Sequence, residues 1–354
     1  YFTMAHKVRI FDWWDVSAAY DVQYNQLSMF LDAHRWTHWL SAATAINVKN
    51  YLRLQASVLG TFVNDEKGIQ NQESRPNTTQ HYPTLPNTTQ HFTPALFLSY
   101  RPTQLVDLRL NAFYKQSYRY PTFNDLYYTD MGNAYLKPEL AKQHNVGLSF
   151  TQPFRIAEKR GSEFRINADY YYNRISDKII AYPKGQQFRW TMLNLGLVKI
   201  NGLDVNAQLH LVLPMDFYLT AKAQYTYQTA IDVTDPNDTY YGDQIPYIPW
   251  HSGSAVGMFG WQNDWQQYGL NYSFIYVGER YNQQENIIYN YTQPWYTHDL
   301  SVFGEWDIYK VKGKRLFTLR VALDINNLLS QDYDVIINYP MPKRNYKCTV
   351  SITY

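Results

Sequence analysis

FTLRVALDIN, residues 317–326, puts an apolar side chain at every second position. Phe317, Leu319, Val321, Leu323 and Ile325 alternate with Thr318, Arg320, Ala322, Asp324 and Asn326. Successive side chains of an extended chain point to opposite faces, so the stretch is a strand with one apolar and one polar face. The same alternation runs through Phe164, Ile166, Ala168, Tyr170 and Tyr172, through Val16 to Tyr24, and through Phe217 to Tyr227. No long 3.6-residue period competes with it.

About fifteen segments fit this template, beginning near residues 3, 15, 39, 51, 92, 105, 142, 162, 190, 215, 253, 266, 296, 315 and 345. Many run roughly 10 to 13 residues, longer than the ~5–6 of soluble strands. They match the ~9–11 residues that a tilted strand needs to cross a bilayer. Short connections at 12–15, 48–50, 101–104, 213–216, 262–265 and 310–314 are expected to alternate with long ones. The long ones fall at 25–38, 65–91, 118–141, 174–189, 230–252, 278–294 and 329–344, and 152–162 is a longish member of the short set. An outer-membrane barrel has short periplasmic turns and long extracellular loops, whereas a soluble sandwich has no reason to sort its loops by parity.

Composition agrees. The chain has 354 residues, 17% of them aromatic and 18% charged, with formal net charge +2. Mean hydropathy is −0.48, and no run approaches the ~18 apolar residues of a membrane helix. The near-balance of charge gives no nucleic-acid surface. A single cysteine, Cys348, excludes internal disulfides and cysteine-based metal clusters. The chain opens at Tyr1 with no charged segment followed by an apolar core, so no signal peptide is expected in it. Rings at strand ends (Trp13, Trp14, Trp39, Trp261, Trp265, Trp295 and Tyr354) suit the two membrane–water boundaries. The expected fold is all-β: a transmembrane antiparallel β-barrel.

The stretch Tyr120-Pro121-Thr122-Phe123-Asn124-Asp125-Leu126-Tyr127-Tyr128, then Gly132-Asn133 and Leu136-Lys137-Pro138-Glu139, resembles TonB-dependent outer-membrane receptors. Residues 170–183, 190–205, 243–254 and 337–354 match that family in order. The nearest likeness is to the cobalamin-receptor-like branch found in Bacteroidetes. The resemblance implies a 22-stranded barrel plugged by an N-terminal domain, with residues 1–354 forming the C-terminal part, about the last fifteen strands. It implies that the plug, its TonB contact and about seven strands lie outside this chain. It further implies TonB-coupled import of a large scarce nutrient, either cobalamin or another corrinoid or an iron–siderophore complex. The implied partners are outer-membrane lipid and lipopolysaccharide, the TonB complex, the nutrient and a surface lipoprotein. A passive channel or an adhesin barrel is the alternative, separated by the presence of a plug. An odd strand count would make the first and last strands parallel, so they are expected not to pair with each other.

No G-x-S-x-G, H-E-x-x-H or phosphate-cradling glycine loop is present, so no enzyme, cofactor or resident metal is expected. Loop aromatics are the ligand candidates: Phe123, Tyr127, Tyr128, Trp190, Tyr240, Tyr241, Tyr247 and Trp250. Such rings hold a flat or amphipathic ligand at low ordering cost, though they equally suit barrel anchoring or loop packing. His34 and His38 would share a helical face suited to a metal, but a polar loop with incidental histidines is the plainer expectation. The duplicated Pro-Asn-Thr-Thr-Gln-His at 76–81 and 86–91 reads as local duplication in a tolerant loop. Asp232, Asp235, Asp238 and Asp243 offer calcium-type oxygens, with a solvated loop as the simpler expectation.

Overall fold

The computed structural model describes residues 1–28, 32–67, 88–128, 131–156, 159–183, 190–311 and 314–353. The first strands are β1 (Phe2–Phe11), β2 (Trp14–Ser28), β3 (Asp32–Val48), β4 (Leu52–Lys67) and β5 (Thr88–Tyr100). They are followed by β6 (Asp107–Arg119), β7 (Glu139–Ile156), β8 (Lys159–Pro183), β9 (Trp190–Val212) and β10 (Phe217–Asp232). Next come β11 (His251–Gln262) and β12 (Gln266–Val277), then the two-residue β13 (Arg280–Tyr281) and β14 (Tyr291–Thr292). The chain closes with β15 (Trp295–Val311), β16 (Lys314–Asn326) and β17 (Asn345–Thr353). A short helix, α1 (Phe123–Tyr127), lies between β6 and β7.

Fifteen of these strands make one antiparallel sheet in chain order, β1 to β12 and then β15, β16 and β17, while β13 and β14 pair only with each other. The fifteen segments of the sequence are thus fifteen neighbours in one wall. β1 and β17 are its two edges, and no ladder joins them among the described residues.

Register carries face from strand to strand. Leu54 pairs with Leu98, Leu98 with Ala112, Leu110 with Leu148, and Leu148 with Ala168. This parity is the outer, apolar face; Phe92, Leu40 and Leu323 on it are more than half exposed. Buried residues gather instead on the opposite face at the long-loop end, where loops cover it. Ala141, Ile175, Leu195, Val198, Ile200, Ala230 and Ile245 form one cluster there, and Leu126, Leu136 and Ile179 another.

Several expected boundaries move. β2 and β3 run almost to meet, leaving only 29–31 between them, so the expected 25–38 loop is a hairpin. Neither a helix nor a loop holds His34 and His38: both lie in β3, on its outer parity, bonded by Nδ1 to Tyr24 and Tyr20 at 2.6 and 2.7 Å. The expected 174–189 loop shrinks because β8 continues to Pro183, and the 152–162 connection shrinks to 157–158. The second copy of the repeat enters β5 at Thr88, and the first lies outside the described residues. The ladder between β5 and β6 stops at Ala95 opposite Lys115, next to Pro94, which has no N–H to give. His91 and Tyr118 stack there at 4.4 Å.

The face assignment has a direct consequence. Val321 sits mid-strand on the outer face between Gly304 and Val350. Val321→Arg is expected to cost ~2–4 kcal/mol of folding stability in lipid. Arg320, on the inner face beside Glu305 at 3.2 Å, is half exposed, and Arg320→Ala should cost under ~1 kcal/mol. Urea unfolding in vesicles measures both, and equal losses would reverse the two faces.

Candidate functional site: the loops at the long-loop end

The 120–138 segment is tied down by a buried ion pair that it does not itself contain. Arg35 on β3 grips Asp65 on β4 through Nε at 2.6 Å and Nη2 at 2.8 Å, and its Nη1 donates to the Pro121 carbonyl at 2.6 Å. Both residues are 5% exposed. The guanidinium lies 4.6 Å from the ring centres of both Tyr120 and Phe123. Planar guanidinium suits both contacts at once, a carboxylate fork and two ring faces.

From this anchor α1 begins with a reciprocal cap. Asp125 N–H donates to Thr122 Oγ1, and the Thr122 N–H donates to Asp125 Oδ2. The chain then turns at Gly132, where an added Cβ would come within 2.6 Å of the Tyr128 backbone nitrogen. Asn133 and Asn194 complete the seam to β9: Asn133 Nδ2 donates to the Met192 carbonyl at 2.9 Å, and Asn194 Nδ2 to those of Lys137 and Asp177. Burial, with the Asp65 charge behind it, pushes the phenols of Tyr120 and Tyr127 above their ordinary range.

The 233–250 segment is braced by an amide. Gln244 is 1% exposed; its side-chain oxygen accepts from Ala230 N–H at 2.7 Å and its nitrogen donates to the carbonyls of Gln228 and Ile248. Asn286, in the next loop, accepts from Gln244 N–H and donates back to the Gln244 carbonyl. Arg280 carries the network onward, donating to the carbonyls of Asp334 and Val335 at 2.8 and 3.0 Å. Its burial lowers the guanidinium from its ordinary range. Three loops, 233–250, 278–294 and 329–344, are therefore joined to one another, while 120–138 is joined to β3 and β9.

Among the eight ring candidates, Trp190 and Tyr247 meet with ring centres 5.9 Å apart. Trp250 meets Tyr281 edge-on at 5.8 Å. Phe123 and Tyr127 pair at 6.0 Å, and Phe123 lies against Arg35, so that ring belongs to the anchor. Tyr128 and Tyr241 are outlying exposed rings, and Tyr240 sits among Asp238, Asp232 and Asp235, which raise its phenol. The carboxylates considered for calcium serve as braces: Asp232 accepts from Thr234 and Gln284, Asp235 from Asn237, and Asp243 from Asn286 N–H. No group of three or more metal-capable side chains occurs among the described residues.

The sequence reading names rings as candidates and does not name the polar braces Arg35, Asp65, Gln244, Arg280 and Asn286. The one signal in the sequence is Arg35 itself, a charge in a ring-rich stretch.

The family model described as TonB dependent receptor-like, beta-barrel matches residues 11–328, and the chain belongs to that family. It is an outer-membrane β-barrel chain. It is 37% identical over 90 residues, 25% of this chain and 13% of the relative, to the vitamin B12 transporter BtuB of Vibrio vulnificus. It is 25% identical over 260 residues, 70% of this chain and 36% of the relative, to that of Photobacterium profundum. Among solved structures, the copper transporter OprC superposes with TM-score 0.67 at 14% identity, covering 98% of this chain and 55% of that one. BauA, the ferric preacinetobactin receptor of Acinetobacter baumannii, gives 0.63 at 13% identity, covering 96% and 51%. The chain thus spans about a third of the length of the longer-matched B12 transporter and about half of the solved receptors.

Breaking one side of the Arg35–Asp65 pair leaves a buried charge. Asp65→Ala should therefore cost ~3–5 kcal/mol locally, read as protease cutting within 120–138 in the assembled protein. The apolar double variant Arg35→Met with Asp65→Leu should recover most of that protection. Unchanged protease resistance in Asp65→Ala would show that the pair does not hold the loop.

Proposed function

We propose that the chain acts in TonB-coupled import of a large nutrient across the outer membrane, with a corrinoid as the first candidate and a ferric siderophore as the second. The observation that carries this reading is the loop assembly: four loops braced by buried polar groups, presenting Trp190–Tyr247 and Trp250–Tyr281 above the inner face. Ordering loops this way costs conformational entropy that a passive pore has no use for, whereas a receptor recovers it as a preformed surface for a bulky ligand. Sequence likeness to B12 transporters favours the corrinoid. Energy would reach the site through a plug and its TonB contact, supplied outside residues 1–354. A surface lipoprotein would meet the loops at their exposed apolar tip, Ile287, Ile288 and Tyr289, the last 88% exposed.

Cyanocobalamin and a ferric catecholate, added separately to the whole receptor, should quench tryptophan fluorescence unequally. The double variant Trp190→Ala with Trp250→Ala should weaken the preferred ligand by roughly five- to hundredfold, about 1–3 kcal/mol for two ring contacts. Its heat-modifiable band on gels should stay that of the assembled barrel. Wild-type affinity in the double variant would remove these rings from the binding surface.

A further inference from the structure

Two neighbouring strands of the wall part before their ends. β5 is laddered to β4 over its whole length, from Thr88 to Tyr100, and β6 to β7 from Asp107 to Arg119. Between β5 and β6 the ladder holds only from Tyr100 opposite Leu110 to Ala95 opposite Lys115. The next rung would set Pro94 opposite Gln116, and proline has no N–H to give it. Beyond that point no ladder joins the facing edges of Thr88–Pro94 and Gln116–Arg119 among the described residues. Proline within a sheet is confined to edges and bulges, and here it makes an edge in the middle of a wall. In continued register Tyr118 would stand opposite Phe92; its ring stacks on His91 instead, at 4.4 Å.

Each side of this seam is firm in itself. On one side His91 stands opposite Thr61 and Thr61 opposite Trp39, so β5, β4 and β3 stay joined. On the other, Arg119 stands opposite Glu139, and its Nη2 donates to Asp125 Oδ2 at 2.8 Å, which fixes α1 to the top of β6. Little crosses between them. Beside the His91–Tyr118 stack there is Arg35, which donates to the Pro121 carbonyl and lies against the rings of Tyr120 and Phe123. Its counter-charge, Asp65, is on β4, the same side of the seam as Arg35 itself. Letting go of Pro121 therefore strands no charge. Three enclosed side-chain atoms beside the seam, Thr89 Oγ1, His91 Nε2 and Tyr120 OH, have no partner at hydrogen-bonding distance. Register sets Phe92 level with Gly60, Leu40 and Tyr20. The seam thus begins at the height of the Tyr20–His38 bond, where polar-tipped rings suit the membrane–water boundary.

We infer that the β5–β6 seam is a lateral gate in the wall, with Arg35 as its catch. The top of β6 and the chain through α1 swing as one arm away from β5, while the six rungs from Ala95 to Tyr100 stay closed and act as the hinge. Opening gives up one charge-assisted bond and three ring contacts. In return water reaches the side chains and backbone edges that the shut seam leaves unmet. The gate widens the wall at its long-loop end, and it stands whether or not the loops receive a nutrient.

The test is amide hydrogen exchange on the whole receptor in lipid nanodiscs, with no ligand added. Alternate amides of a strand face opposite neighbours, so about half of those in 88–93 and 116–119 should exchange roughly tenfold or more faster than those in 96–99 and 111–114. Arg35→Lys keeps a cation for Asp65 but cannot fork onto it and reach the Pro121 carbonyl at once. It should speed exchange at 116–119 by about fivefold more. Pro94→Thr with Tyr118→Val restores the missing donor and removes the ring, and should slow that exchange about tenfold. In a Cys348→Ser background, His91→Cys and Tyr118→Cys bridged by a reducible thiol linker should slow it likewise, with reductant restoring the speed. If the Pro94 variant does not assemble, the bridged protein decides. Equal exchange above and below Pro94 in the wild type would overturn the seam. Fast exchange that neither Arg35→Lys nor the bridge alters would show a fixed gap and overturn the gate.

Discussion

Everything in this wall depends on the ladder. Hydrocarbon offers no partner for a backbone N–H or C=O, so each strand must satisfy its neighbours along its whole membrane-crossing length. That fixes register, and register fixes parity, because a slip of one residue would turn every side chain to the opposite face. The unbroken pairings from β7 to β10 show the result: Val146, Tyr170, Leu203 and Tyr227 are one outward row drawn from four strands. The same rule that keeps lipid-facing rows apolar also stacks Lys142, Arg174 and Lys199 into one.

The fold was legible because this constraint writes itself into sequence as period 2. FTLRVALDIN lies within β16, and the terminal alternation from Asn345 is β17. What escaped has physical causes. The β2–β3 hairpin looked like a loop because its outward side chains near the long-loop end are Tyr24, His34, Trp36 and His38, polar-tipped rings rather than aliphatics. The expected 174–189 loop is instead β8 running on because beyond the wall its inner face is apolar too: Ile175, Ile179 and Val198 meet the loops, and the alternation that marks a half-wet strand disappears. The ring candidates could be named from composition and position. Their pairing depends on Gln244, Asn286 and Arg35, which work at sequence separations that no local pattern encodes.

The loops extend the same economy of satisfied groups into the aqueous end. Gln244 answers three backbone groups from a nearly sealed position, and Arg35 answers a carboxylate, a carbonyl and two rings. Arg35 ties β3 to Pro121, far along the chain, and Gln244 holds its own loop to the end of β10, so the loops rest on the strand ends. On the proposed function, such braced loops would offer a ligand contacts already in place.

Depth-resolved labelling of β7 tests the central assignment most directly. With Cys348 replaced by serine, single cysteines at 143 to 150 are labelled with a fluorophore in vesicles of brominated lipid. The account predicts quenching at His144→Cys, Val146→Cys, Leu148→Cys and Phe150→Cys, and protection at the odd positions between them. Equal quenching at both parities, or quenching at the odd positions alone, would contradict it.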